Sequence, residues 1–333
     1  MRRFFLVLLV LCLLATASAA AEPSAQAQNQ KQRQKTNHKQ DQKQPPKQWV
    51  ETISPQSVGL GEPFLLRVRS RQPLTGLSAT WLTRTARLSG RKIPGGQGGW
   101  EAVVLLGSDV GNTALGRHEL VLRHGSDGRQ GRRGSIVTQR AVIEVLPVER
   151  PVERLTLDEA MVTPPREVHA RILAERKLTQ KLLLGALSRP ALVGTDGRLW
   201  TLPLLRPVPG EISSIYGIGR ILNGQPHAPH RGLDMEAATG EPVLAAADGV
   251  VLFAGELYYA GNAVYLDHGQ GLVTAYFHLS GIRTQTGLRV ARGQLVGLAG
   301  DTGRSTRSHL HFGVWALGRP VDPEPLFLYD PLP

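Results

Sequence analysis

The chain has 333 residues, 41% hydrophobic and 20% charged, which supplies material for real cores and excludes global disorder. At roughly 150 residues per domain, that length implies about two domains plus extensions. With 37 glycines, 23 prolines and 5% aromatic residues, the composition favours turn-rich β domains over a helix bundle, and no internal repeat points to a solenoid. The only cysteine is Cys12. If it leaves with a cleaved leader, the mature protein has no disulfide and no thiolate ligand, so any metal must be held by His, Asp or Glu.

The chain opens with Met1-Arg2-Arg3 and an unbroken apolar run from Phe4 to Leu14, followed by small residues from Ala15 to Ala21. This is the pattern of a secretory signal peptide over 1–21, with several Ala-x-Ala cleavage sites. The run is short for a membrane span of roughly 20 residues, so no stable span is expected after cleavage. Cys12 lies inside the apolar run, which argues against a lipoprotein. Residues 22–48 are mostly Gln/Lys low-complexity sequence and are expected to form a disordered tether. Five Lys and one Arg against one Asp give 24–48 a charge of +5 out of a total of +12. Much of the basic character is therefore a solvated tail, suited at most to weak adhesion to an anionic polymer. Nucleic acid is not expected as a partner of an exported protein.

From 49 to 148, short β runs alternate with turns. Pro63 to Arg69, Ala79 to Leu82, Trp100 to Leu106, His118 to Arg123 and Ile136 to Val145 read as strands of an immunoglobulin-like β-sandwich. No catalytic cluster appears there, and Arg129, Arg132 and Arg133 read as a solvated basic hairpin. Thr163-Pro164-Pro165 then opens a helix, with Thr163 as N-cap, Pro in the first turn and an end at Gly185. Val168, Ile172, Leu178 and Leu182 recur at helical multiples, and His169 falls on the polar side. Residues 149–199 are expected to be a helical connector packed between two modules.

Six of the ten histidines fall between 227 and 311. His230 and Asp234 are four apart, but Pro226, Pro229 and Gly232 argue against helix. In an extended chain they would lie roughly 13 Å apart, so sharing one metal requires a bend, which Gly232 allows. His309-Leu310-His311-Phe312-Gly313-Val314 alternates as a strand, with both histidines on one face and the apolar residues on the other. His278 ends a third strand-like run, Leu272 to Leu279, where alternation places it opposite Phe277. His227 and His268 read as hydrogen-bonded structural or surface residues.

Together these elements resemble the lysostaphin/LytM-type zinc metallopeptidases with the duplicated hybrid motif fold. The resemblance runs from about Pro207 to Phe327. It includes Ser213-Ser214-Ile215-Tyr216-Gly217, His230-x3-Asp234, the run Gly240 to Val251, Gly261 to Gly269, Tyr276-Phe277-His278-Leu279, Gly293 to Gly297, Gly300-Asp301-Thr302-Gly303 and His309-Leu310-His311-Phe312. The resemblance implies a mostly β chain, with an antiparallel β-sheet metallopeptidase domain over 200–333. It further implies Zn²⁺ held by His230, Asp234 and His311, with His278 and His309 as catalytic histidines. The implied activity is hydrolysis of peptide bonds in peptidoglycan stems or cross-links, in the periplasm or outside the cell. Two imidazoles and one carboxylate leave tetrahedral zinc an open position for water. No His-Glu-x-x-His base is present, so the histidines share the proton work.

The alternative is a non-catalytic wall-binding module that activates a separate amidase. Degenerate family members typically lose zinc ligands, and all three are present here. A structural zinc site is disfavoured, because it normally has four protein ligands. One departure stands out: Arg307-Ser308 replaces the usual Gly-Pro before the last His-x-His, placing an arginine where a stem-peptide carboxylate could meet it. The β module, joined through a helical connector, is expected to dock beside the groove and restrain activity.

Overall fold

The computed structural model describes residues 50–93, 99–125, 136–187 and 196–328. The expected leader, the tether and the basic hairpin around Arg129 to Arg133 lie outside the described residues. Among the described residues, no helix is long and apolar enough to cross a membrane.

Residues 50–146 form two facing sheets. One orders Val50–Ile53, Pro63–Ser70, Trp100–Gly107 and Arg91–Lys92; the other orders Ser57–Gly59, Ile136–Leu146, Gly116–Gly125, Ser78–Trp81 and Arg84–Arg87. The parallel pairing of Ser57–Gly59 with Ile136–Leu146, among otherwise antiparallel neighbours, gives the strand order of an immunoglobulin-type sandwich. Its core needs no disulfide. Trp81 is buried with its ring edge-on to Phe64, centroids 5.3 Å apart, and its indole N–H donates to the Gly107 carbonyl at 2.8 Å.

The Trp100–Gly107 strand is buried on both faces. Ala102, Val104 and Leu106 enter the sandwich core, whereas Val103 and Leu105 enter the core of the C-terminal part. A strand sandwiched between two cores needs an unbroken apolar run, which is why Ala102-Val103-Val104-Leu105-Leu106 does not alternate.

The connecting segment is not helical throughout. Val152–Leu155 is a strand in parallel register with Gly219–Leu222, and a short helix, Glu159–Val162, follows. Asp158 caps that short helix by accepting from the Ala160 N–H at 2.8 Å. Thr163 closes it instead of opening the next helix, which runs Arg166–Leu187 with Gly185 inside it. The two prolines are thus spent on the turn between helices, where their fixed φ and missing N–H cost nothing. His169 is exposed on the long helix, as expected.

The C-terminal part is built on an eight-stranded antiparallel sheet. His309–Ala316 lies between Leu233–Glu236 and Leu272–Leu279, and Gly261–Asp267, Gly249–Leu257 and Arg289–Val290 extend the sheet beyond the latter. One face (Val264, Leu266, Tyr276, Phe312, Val314) packs into the main core. The opposite face (Ala263, Tyr265, Val273, Ala275, Trp315) lies beneath the long helix, which presses Leu183 and Ala186 onto it. The helix therefore lies on the face toward which His311 points.

His268 is fully buried and structural. Its neutral ring donates through Nδ1 to the Asp248 carbonyl at 2.6 Å and lies 2.7 Å from Thr274 Oγ1, which in turn is 3.0 Å from Tyr276 Oη. Burial pushes this imidazole down to about 4. As pH falls below the ordinary histidine range near 6.5, the unfolded chain takes up a proton that the folded chain refuses. His268 therefore contributes stability that is complete above about pH 6.5 and lost toward pH 4. Unfolding free energies from urea titrations at pH 7 and pH 5 should differ more for the native chain than for His268→Gln, by about 2 kcal/mol. Equal pH slopes would refute this.

Candidate metal centre and catalytic groove

Three donor atoms from two adjacent strands and one loop converge. His230 Nε2 lies 2.9 Å from His311 Nδ1 and 3.0 Å from Asp234 Oδ1, and His311 Nδ1 lies 2.8 Å from the same carboxylate oxygen. Asp234 and His311 are cross-strand partners in the register Leu233–Glu236 against His309–Ala316. His230 reaches them because the chain bends before Leu233. A Cβ on Gly232 would lie 2.6 Å from His311 Nε2 and 2.7 Å from the Phe312 carbonyl, so only glycine permits that bend against the ring.

The donor set fits a divalent metal. It consists of two imidazole nitrogens and one carboxylate oxygen, facing each other at spacings close to those around a tetrahedral ion. The His230 tautomer is fixed from behind. His230 Nδ1–H donates to the Ile215 carbonyl at 3.0 Å, leaving Nε2 as the donor toward a metal. Phe277 stacks on His311 with ring centroids 5.1 Å apart and planes within 5°.

Burial alone would raise the Asp234 carboxyl. The charge and hydrogen bond of His230, with hydrogen bonds from His309 and His311, instead hold it well below the ordinary carboxylate range. Burial drives His311 down to about 4, and burial together with the neighbouring His311 and His309 drives His278 to about 3. His309, though buried, is raised by its contact with Asp234.

His278 and His309 stand beside the set, with ring centroids 4.8 Å apart. The His278 ring is 6.0 Å from that of His311. His278 does not point away from Phe277, as simple alternation predicts. A bulge interrupts the pairing between Val264↔Tyr276 and Asn262↔Leu279, so Phe277 and His278 both face Ala263. His278 takes a left-handed φ of 61°, which turns both rings toward the same side. Its Nδ1–H donates to the Thr302 carbonyl at 2.8 Å, and His309 Nδ1–H donates to the Arg307 carbonyl at 2.8 Å. That leaves the His278 Nε2 available, whereas the His309 Nε2 lies 3.6 Å from Asp234 Oδ1.

Several residues of the site carried no sequence signal. Arg220 donates through Nη2 to Asp234 Oδ2 at 2.8 Å, and its Nε lies 3.4 Å from Glu153, its cross-strand partner from the connecting segment. It orients the carboxylate from the side remote from the other donors. Arg220→Ala should weaken metal binding by about 10- to 100-fold, read by competition with a chelating dye. Unchanged affinity would remove Arg220 from the site. Arg307 pairs at 3.4 Å with Glu236, both more than half exposed, a contact of little energetic weight. His227 lines the rim of the cavity without joining the donors.

A cavity of about 490 Å³ opens on this centre, lined by His230, His278 and His311 on one side and by Val162 and Arg176 of the connecting helices on the other. The segment 149–199 thus supplies a wall of the groove.

Residues 228–323 match Peptidase family M23. Over 95 residues the chain is 46% identical to the peptidoglycan DD-endopeptidase ShyA of Vibrio cholerae, covering 28% of this chain and 22% of that protein. Over 102 residues it is 43% identical to the DD-carboxypeptidase/endopeptidase Mpg of Neisseria meningitidis, covering 31% of this chain and 24% of that protein. The chain therefore matches less than a quarter of either relative. A crystal structure from Pseudomonas aeruginosa assigned to peptidase M23 superposes with a TM-score of 0.55 at 25% identity, covering 84% of this chain and 92% of that one. The match to Peptidase family M23 over residues 228–323 takes in all three converging donors, His230, Asp234 and His311.

Proposed function

We propose that the chain is a zinc endopeptidase that hydrolyses peptide bonds in peptidoglycan stems or cross-links. The observation that carries this reading is the convergence of His230, Asp234 and His311, with two further imidazoles on the open side. The endopeptidase names of the relatives support the substrate class.

Zinc held by His230, Asp234 and His311 would acidify a water and polarise a carbonyl. The remaining work falls to the chain's own side chains. Among the described residues, no Glu or Asp lines the cavity to act as base there. His278, anchored through Nδ1 to a carbonyl, presents Nε2 toward the groove to receive and return the proton, and His309, whose Nε2 lies 3.6 Å from Asp234, stands beside it. Their N–H groups can also stabilise charge developing on the carbonyl oxygen. The bulge sets the His278 ring, the Arg307 carbonyl holds His309 and the stack of Phe277 holds His311, so these groups are placed before the peptide arrives.

Peptidoglycan lies outside the cytoplasmic membrane, so the reading requires export, for which residues 1–21 are the proposed leader and 22–48 the proposed tether. The experiment is digestion of intact peptidoglycan by the purified, zinc-supplemented chain, with products identified by mass spectrometry. Cross-linked dimers should fall to monomers. Release of whole peptides from sugar would mean amidase chemistry and refute the endopeptidase assignment. No cleavage at all would refute the hydrolase reading.

A further inference from the structure

We propose that Arg304, together with Arg176 of the long helix, forms a carboxylate subsite beside the metal ligands that selects peptides carrying a free carboxylate near the cleaved bond. The inference rests on the endopeptidase reading and adds to it a basis for substrate choice.

Arg304 belongs to the loop that holds both accessory histidines. Two residues before it, the Thr302 carbonyl accepts from His278; one residue after it, Ser305 Oγ lies 3.2 Å from His309 Nδ1. Its backbone N–H donates to the Tyr259 carbonyl at 2.9 Å, and its guanidinium lies 4.5 Å over the Tyr259 ring. Gly303 lets the loop come this close. It has φ +75°, and a Cβ there would lie 2.3 Å from the Gly261 nitrogen. Arg304 is thus placed by backbone, ring and turn together.

Its charge, however, is not answered within the protein. Among the described residues, no carboxylate lies within ion-pair distance of Arg304 or Arg176, and both line the cavity that holds the metal ligands. The other arginines of the region are engaged: Arg220 with Asp234 and Glu153, Arg231 with Asp109 at 3.8 Å, and Arg307 with Glu236. Burial pushes the Arg304 guanidinium downward, and the nearby charges of Arg220 and Arg176 add to that. A partly desolvated cation among other cations is costly until an anion arrives. A planar guanidinium suits a carboxylate in particular, which it can meet with two parallel hydrogen bonds. An anion arriving through this groove and within reach of His278 and His309 is part of the peptide being cut. The long helix contributes Arg176 from the opposite wall, so it completes the groove as well as covering the sheet.

The test compares cross-linked muropeptide dimers with the same dimers converted to carboxamides. Full-length chain and its Arg304→Gln, Arg304→Lys and Arg176→Gln variants are assayed for KM and kcat separately, with zinc content measured in each. In parallel, the monomeric stem tetrapeptide and its amide are titrated calorimetrically, which requires no turnover. The native chain should show a KM for the acid about tenfold or more below that for the amide. Arg304→Gln should erase that preference with zinc content unchanged, the loss appearing in KM for the acid, and Arg304→Lys should restore part of it. An acid preference that survives Arg304→Gln would overturn the proposal, as would a loss of kcat on both substrates without a change in KM. Cleavage of acid and amide alike by the native chain would remove the subsite and leave the endopeptidase standing. Absence of cleavage, with Arg304-dependent binding of the acid tetrapeptide, would do the reverse.

Discussion

His311→Ala should abolish metal binding and turnover together, whereas His278→Ala should keep the metal and lose the turnover. The two residues face one groove from adjacent strands, with their rings 6.0 Å apart, so a general disturbance of the site would affect them alike. Their proposed roles differ. Among the described residues, His311 Nδ1 is one of three converging donors, and losing it leaves His230 and Asp234 as a weak two-donor site. Its loss also strips Asp234 of a hydrogen bond at 2.8 Å and leaves Phe277 without its stacking partner. His278 contributes no donor to the set, and its ring is anchored elsewhere, on the Thr302 carbonyl. Elemental analysis should find about one zinc per chain in the native protein and in His278→Ala, and none in His311→Ala. Turnover of muropeptide dimers should fall by about 10²- to 10⁴-fold in His278→Ala, the range for losing a proton-transfer group. In His311→Ala no excess of zinc should restore it. Loss of zinc from His278→Ala would make that histidine a ligand and refute the assignment. Retention of both zinc and activity by His311→Ala would refute the metal centre itself.

Alternation is a property of regular strands, and where the strand is regular the sequence showed the geometry. His309 and His311 share a face, with Leu310 and Phe312 buried behind, because nothing interrupts the ladder from His309 to Ala316. The need for a bend between His230 and Asp234 followed from their extended-chain separation, and its seat at Gly232 from glycine's freedom. The orientation of His278 did not. A single extra residue opposite Ala263 reverses the parity of everything after it, and a bulge leaves no mark in a run such as Leu272 to Leu279. The continuous apolar run Ala102 to Leu106 could be assigned to the sandwich but not to two cores at once, since a doubly buried strand reads the same whatever covers its second face. Arg220 and Arg304 were invisible for a different reason. An arginine's role is set by which carboxylates and rings lie near it in space, and Glu153, Asp234 and Tyr259 are 67, 14 and 45 positions away from their partners.

The doubly buried strand makes a prediction about stability that neither module alone would make. Leu105 is 2% exposed and projects from a sandwich strand into the core that contains Leu233, Phe312 and Val321. Leu105→Ala should cost about 2–5 kcal/mol, the range for emptying a leucine site in a packed interior. For a unit of this size that corresponds to a fall of roughly 4–10 °C in Tm. Trp81→Ala, which empties the sandwich core alone, should lower the same transition. Polar links cross the seam as well: Arg150 donates to the Leu60 carbonyl at 2.6 Å and to the Tyr216 carbonyl at 3.1 Å, and the Asp322 N–H donates to the Gly61 carbonyl at 2.8 Å. One calorimetric transition, shifted by either substitution and coincident with loss of bound zinc, is the expected result. Two transitions, with the zinc-linked one unmoved by both variants, would show that the modules fold independently. The same seam bears on whether the β module restrains the peptidase. A fragment beginning at residue 200 would lose Val103 and Leu105 from its core, the Arg150 contacts, the Glu153 partner of Arg220 and the helix bearing Arg176. Low activity in that fragment would report a damaged groove and a weakened fold, so restraint has to be sought in the intact chain, by substitutions on the outer surface of the long helix.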